Sequence, residues 1–337
     1  MGAMSKLNVS IMGGGSWGTT VASLVCRNAP ATLWARNPDT VEEINTHHSN
    51  EAYLPGASLP DKLKATSDIA EAASSADVLI MGIPSQNFRS VLEEVKLHIR
   101  AWVPIITLTK GLELKTGMRM TEVITNVLPG HPVGVLTGPN LAREIMAGQA
   151  AASVIAMEDP VIMKEIQALF NSGLFRTYTN DDIIGCELGG VLKNIIAIAV
   201  GMGDGQGAGD NTRSALITRG LAEVTRLGVA MGGRAETFAG LAGMGDMIAT
   251  CTSNQSRNRH VGVELGKGRE MQDIIDDMLM VAEGVKSAPA VMALAEKYNV
   301  EMPIARDVYQ VVSGQSSALR AFRGLLRVTA GAESEPG

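Results

Sequence analysis

Over its first 180 residues the chain alternates short, unbroken apolar runs with longer stretches of helical period. The runs are LNVSIM (7–12), ATLWA (31–35), VLIMGI (78–83), PIITLT (104–109) and VGVLTG (133–138). Between them lie TTVASLVCRN (19–28), DTVEEINTHH (39–48), NFRSVLEEVKLHI (87–99) and MTEVITNVL (120–128). Strands that are apolar at every position, not every second one, must be covered on both faces. Strand–helix alternation of this kind predicts an α/β fold: a doubly wound, mainly parallel sheet of the Rossmann type. ASVIAM (152–157) and LFRTY (174–178) read as further strands around a helix at 160–170.

After Asp181 the texture changes to long Ala/Leu/Ile/Met-rich stretches at 183–202, 213–230, 272–279, 285–297 and 303–312. Strand signals nearly vanish. The expectation is therefore a dinucleotide-binding domain over 5–184, an all-helical domain over 185–330 and a disordered polar tail over 331–337. At 337 residues such a chain buries enough core to fold without metals or disulfides.

A net charge of −6 argues against general binding to nucleic acid or to anionic membranes. Cys26, Cys186 and Cys251 are odd in number and far apart, which fits a reducing compartment with the thiols as small core residues. No Cys/His cluster has zinc-ligand spacing, so no metal is expected. The N-terminal stretch lacks a signal-peptide pattern. The strongest candidate span, 183–203, carries Glu187, Lys193 and Asn194, and a charge at a bilayer centre costs about 2.5–3.5 kcal/mol on insertion scales. The expected location is cytoplasmic, without membrane insertion.

Directly after the first apolar run comes GGGSWG, in which Gly13, Gly15 and Gly18 satisfy GxGxxG. In a strand–turn–helix context the first glycine allows the tight turn and the second lets backbone approach a pyrophosphate. The third lets helix and strand pack closely. The helix N-terminus then offers free N–H groups to the anion. The second run ends in LWARN: Arg36 stands where an acid would bind a ribose 2′-hydroxyl, and no acid follows until Asp39. NADP(H) is thereby preferred, with NAD(H) possible; the other reading of Arg36 is a solvated strand-end residue.

Lys193 lies inside an apolar helix, and the residues sharing its face are Gly189, Gly190, Ile196 and Ala197. Small neighbours leave room around the ammonium for something else. Burial disfavours the charged form and draws a lysine pKa toward neutrality, where it can exchange a proton with an alcohol or carbonyl oxygen. Alternatively Lys193 snorkels to the surface or pairs with a buried acid.

Downstream, GMGDMIATCTSNQSRNRH (243–260) concentrates polar groups. Asp246 reads as a helix N-cap, as a partner of Lys193, or as a contact for a substrate hydroxyl. Ser256, Arg257 and Asn258 offer a hydroxyl, a guanidinium and an amide at an expected helix start, a set suited to a small phosphate; a solvated loop is the other reading. Lys110 and the GPN at 138–140 follow apolar runs, at the strand ends where open α/β sheets bind ligands.

GGGSWGTT, LWARN, GIPSQ, TKGLE, TGPNLAREI, ELGGVLKNIIAIAVGMGDG, NTRSALITRGLAE, LAGMGDMIATCTSNQSRNR and VAEGV together resemble the bacterial NAD(P)-dependent sn-glycerol-3-phosphate dehydrogenases, over about 7–325. The resemblance implies hydride transfer between glycerol 3-phosphate and dihydroxyacetone phosphate, supplying phospholipid synthesis, in a homodimer. It puts the proton-exchanging lysine on Lys193. Substrate contacts fall on Lys110, Gly138, Asn140, Asp246, Ser256, Arg257 and Asn258. Cofactor contacts fall on Ser16, Trp17, Arg36, Lys110, Ala142, Arg257, Val281 and Glu283, beside the glycines already named. Position 140 is often Ser or Thr in this family and is Asn here; an amide still donates and accepts hydrogen bonds. The rival readings are a related two-domain 3-hydroxy acid dehydrogenase and a non-catalytic NADP(H) sensor.

Overall fold

The computed structural model describes residues 7–278 and 282–325. Val281 and the tail 331–337 lie outside them. The chain forms two compact units. One runs up to Thr109 and resumes over Arg119–Ile183; the other takes Lys110–Met118 and continues from Ile184.

The first unit is built on eight strands: β1 (Val9–Met12), β2 (Ala31–Trp34), β3 (Lys64–Thr66), β4 (Val78–Met81), β5 (Ile105–Thr107), β6 (Val133–Thr137), β7 (Ala151–Met157) and β8 (Phe175–Asn180). They form one sheet in the order β3-β2-β1-β4-β5-β6-β7-β8. β1 lies between β2 and β4, with Ile11 opposite Leu33 on one side and Ile80 on the other. Every residue of β1 and of β4 is buried, as strands covered on both faces require. Helices Ser16–Val25, Pro38–His47, Ser85–Lys96, Met120–Val127 and Pro160–Phe170 form where the periodicity placed them. Asn37 and Asp159 cap two of these, each followed by a proline in the first turn.

All strand pairs are parallel except β6 with β7. Their connection holds only the five-residue helix Ala142–Met146. A crossover to a parallel neighbour usually runs through a longer helix packed on the sheet, and this connection has none. β7 runs antiparallel to β6, with Thr137 opposite Val154. β3 has no counterpart among the apolar runs. Its sequence, KAT, buries only the middle residue, and an edge strand of three residues leaves no periodic trace.

The second unit is helical. At its centre runs Ile183–Gly205, buried without interruption from Gly185 to Gly203. This helix is long and apolar enough to cross a membrane, yet nearly all of it is buried inside the protein. Around it pack Asp210–Ala230, Arg257–Gly266, Glu283–Lys297 and Pro303–Val312. Their core includes Leu188, Leu192, Ile195, Val224, Phe238, Val291 and Val308, together with Leu112 from the Lys110–Met118 segment. The stretch expected at 272–279 is a shorter helix, Met271–Asp276.

Candidate active site

In the glycine loop, Gly13 has φ +123° and its N–H donates to the Trp34 carbonyl at 2.9 Å. A Cβ there would stand 2.5 Å from the Gly82 carbonyl oxygen. A Cβ on Gly18 would stand 2.0 Å from the Gly13 carbonyl oxygen, so only glycine lets the helix close down on the turn. Gly15 caps the helix Ser16–Val25, and a Cβ there would meet nothing within 4 Å. The loop thus presents open space directly at a helix N-terminus, beside β1 and β4, where the strand order reverses. An anion such as a pyrophosphate fits this cradle. Ser16 and Trp17 open the helix, Trp17 half-buried, and Arg36 is exposed just beyond β2.

Asn50 completes the loop and has no sequence signature. Fully buried, it donates from Nδ2 to the Gly14 carbonyl and to Thr19 Oγ1, both at 2.9 Å. One amide thereby ties the loop to its helix.

Gly138 follows β6 with φ +129°. The Asn140 amide faces β7: Nδ2 donates to the Ala152 carbonyl at 3.0 Å and Oδ1 accepts from Ser153 Oγ at 3.1 Å. Asn140 therefore holds this turn against the sheet, using most of the capacity that a ligand contact would need. Ala142 begins the helix Ala142–Met146.

In the helical unit, Lys193 is 5% exposed. Its Nζ donates to Asp246 Oδ1 and to Thr250 Oγ1. The other carboxylate oxygen of Asp246 accepts from Lys110 Nζ at 2.6 Å. Two lysines from distant segments thus share one buried carboxylate. Burial lowers the Lys193 pKa from its ordinary value to about 8; Asp246 opposes that shift and Lys110 adds to it. The Cys251 thiol beside this cluster is pushed up to about 12 by burial and is inert as a nucleophile.

Two expectations need correcting. Asp246 is not an N-cap: a π-helical turn over Leu241–Gly245 runs directly into the helix Asp246–Thr252, and Gly240, in extended backbone, precedes the turn. The small residues flanking Lys193 do not all leave room for a ligand. A Cβ at Gly189 would stand 2.6 Å from the Ala242 carbonyl oxygen, so that glycine admits the backbone of the π turn. Thr250 lies one turn after Asp246, and the i,i+4 spacing puts both on one helix face, although the sequence reading gave Thr250 no role.

The neighbouring asparagines form a relay. Asn194 Nδ2 donates to the Lys110 carbonyl at 3.3 Å, and Asn258 Nδ2 donates to Asn194 Oδ1 at 3.0 Å. Asn258 Oδ1 in turn accepts from the Gly284 N–H at 2.9 Å. Ser256 caps the helix Arg257–Gly266, its hydroxyl accepting from the Arg259 N–H. Arg257 stands in that first turn, exposed to solvent. The unit thus brings together Lys110, Lys193, Asp246 and Thr250, and beside them Asn194, Asn258 and Gly284.

Comparison with known proteins agrees with this geometry. Residues 8–163 match the family model "NAD-dependent glycerol-3-phosphate dehydrogenase N-terminus" and residues 182–323 the corresponding C-terminus. The chain is 69% identical to an NAD(P)+ glycerol-3-phosphate dehydrogenase of Sphingopyxis alaskensis, over 98% of this chain and 100% of that protein. It is 52% identical to one of Mycobacterium tuberculosis, over 96% of each. A crystal structure of glycerol-3-phosphate dehydrogenase from Coxiella burnetii superposes with a TM-score of 0.92 at 37% identity, covering 96% of this chain and 99% of that one. With a buried lysine–carboxylate cluster in its helical unit and a dinucleotide cradle in its sheet unit, this chain belongs to the NAD-dependent glycerol-3-phosphate dehydrogenase family.

Proposed function

We propose that this protein interconverts sn-glycerol 3-phosphate and dihydroxyacetone phosphate with NADP(H), accepting NAD(H) as well, and that Lys193 is the proton donor and acceptor. The observation that carries the reading is the Lys193 ammonium, buried against Asp246 and Thr250 with a pKa near 8. At neutral pH such a group holds a proton loosely enough to release it and regains it readily.

When bound, the nicotinamide supplies or takes up the hydride. The chain's own groups do the rest. Gly13, Gly15 and Gly18 with the N-terminal amides at Ser16 and Trp17 hold the pyrophosphate, and Arg36 meets the 2′-phosphate of NADP(H). Ala142, Val281 and Glu283 are the remaining cofactor contacts in this reading. Ser256 and Arg257, with the spare N–H of Asn258, grip the substrate phosphate. Gly138 and Asn140 border the substrate through the backbone of the turn that the Asn140 amide holds.

In the reducing direction Lys193 gives its proton to the ketone oxygen as negative charge develops there. The second lysine, Lys110, pairs with the other oxygen of the Asp246 carboxylate and offsets its negative charge beside the reacting oxygen. Asp246 keeps the ammonium aimed and stabilises it before transfer. In the oxidising direction the neutral amine takes the hydroxyl proton.

An acidic chain with three buried free cysteines suits the cytoplasm. We place the enzyme there as a homodimer supplying glycerol 3-phosphate for phospholipid synthesis. Following NADPH oxidation at 340 nm with dihydroxyacetone phosphate and with 3-keto acids tests the activity. Turnover of the phosphate is expected. Turnover of a keto acid alone indicates a hydroxy acid dehydrogenase, and NADPH binding without turnover a sensor.

A further inference from the structure

The central helix Ile183–Gly205 carries Lys193 near its middle and Asp204 near its end. Asp204 lies between two arginines. Oδ1 accepts from Arg213 at 2.9 Å and Oδ2 from Arg259 at 2.7 Å, with the carboxylate 8% exposed. Arg259 belongs to the first turn of the helix that begins with Arg257. Its Nε also donates to Asp204 Oδ2 at 2.8 Å, and its Nη1 donates to Asn254 Oδ1 at 2.9 Å. The Arg259 guanidinium is therefore a brace: it holds the loop before Ser256 and the turn after it against one carboxylate.

The backbone beneath is equally fixed. Gly201 and Gly205 of the central helix face Gly262 and Gly266 of its neighbour. A Cβ at Gly201 would stand 2.2 Å from the Arg259 carbonyl oxygen, and one at Gly262 2.1 Å from that of Ile198. Gly205 and Gly266 meet the Val263 and Met202 carbonyls in the same way. Two helices in backbone contact cannot slide without losing that fit.

We infer that Asp204 is a positioning residue for phosphate recognition, setting through Arg259 the place of the Ser256–Asn258 turn relative to Lys193. Its carboxylate touches neither Lys193 nor the groups assigned to the phosphate; it acts by fixing a buried charge pair whose loss leaves Arg259 unpaired. The inference rests on the reading above that this turn grips the substrate phosphate.

The test compares dihydroxyacetone phosphate with dihydroxyacetone, which keeps the ketone and lacks the phosphate. Asp204→Asn is expected to lower kcat/KM for the phosphate at least tenfold, mainly through KM. It leaves kcat/KM for dihydroxyacetone and the NADPH dissociation constant within about twofold. Asp204→Glu, which keeps the charge on a longer arm, is expected to show a smaller loss with the same selectivity, and stands in if the amide variant does not fold. Arg213→Met, which leaves the Asp204–Arg259 pair in place, should keep both substrates near wild type. Equal loss for both substrates, or no loss for either, overturns the inference. Arg257→Ala tests the underlying reading separately: if it fails to weaken the phosphate selectively, the phosphate site itself is misplaced, whatever Asp204 does.

Discussion

The Lys193 ammonium meets the Asp246 carboxylate where both side chains are almost closed to water, 6% and 2% exposed. Burial pulls the lysine toward its neutral form while the carboxylate holds the proton on, and the balance settles near pH 8. A lysine in full contact with water stays protonated through the whole working range and makes a poor base.

The direction of the pH dependence follows. Reduction of dihydroxyacetone phosphate needs Lys193 protonated, so kcat/KM for that direction should fall as pH rises through about 8. Oxidation of glycerol 3-phosphate needs the neutral amine and should rise through the same window. Initial-rate profiles in both directions, each with saturating cofactor, read this out.

Asp246 raises the Lys193 pKa, so Asp246→Asn should move the falling limb of the reduction profile to lower pH. The same change leaves Lys110 and Lys193 facing each other without a carboxylate between them. Breaking a buried pair costs about 3–5 kcal/mol, and thermal melting should show a clear drop. A limb that stays in place in this variant means another group sets it.

Asn50 ties Gly14 to Thr19 through two hydrogen bonds. At about 0.5–1.5 kcal/mol each, their loss in Asn50→Ala should weaken NADPH binding about tenfold with little change in kcat. Quenching of protein fluorescence by NADPH measures the affinity directly.

How much of this was readable in the chain depends on how local each cause is. Six of the eight strands announce themselves as apolar runs, because sheet burial removes polar residues, while β8, FRTYTN, shows only a partial alternation of buried and exposed positions. β3 does not, since Ala65 is its only buried residue. The burial of Lys193 was legible from its apolar helix, but its partner was ambiguous. Two glycines before Asp246 suggest a cap, and nothing in the letters marks the π turn that leads into it. The membership of Lys110–Met118 in the helical unit is invisible for a similar reason. It rests on Leu112 reaching a core whose other members come after residue 183. Asn50 stands 36 residues from Gly14 in an irregular turn, beyond any periodic signal.

Glu223 gives a stability test unrelated to catalysis. It is 2% exposed and accepts from the Ile304 and Ala305 N–H groups at 2.8 and 3.2 Å. Burial raises its pKa from 4.5 to about 7. Between those values the native state binds more protons than the unfolded chain. Its contribution is therefore fully present below pH 4.5 and is lost as pH rises through 7. The difference is on the order of 3 kcal/mol. Comparing urea unfolding of wild type and Glu223→Gln between pH 4.5 and about 7 should show the wild type losing stability relative to the variant as pH rises. The Lys193 window, from about 8 to 10.5, lies above it and has the opposite sense: that contribution is lost as pH falls through 8.

The most direct test of the central claim is single-turnover reduction of dihydroxyacetone phosphate by Lys193→Ala, with NADPH affinity measured on the same protein. General acid catalysis contributes about 10²–10⁴-fold. The rate constant is predicted to fall by at least that order while the NADPH dissociation constant stays within about twofold. An intact rate, or weakened cofactor binding with turnover preserved, contradicts the assignment of Lys193 as the proton donor.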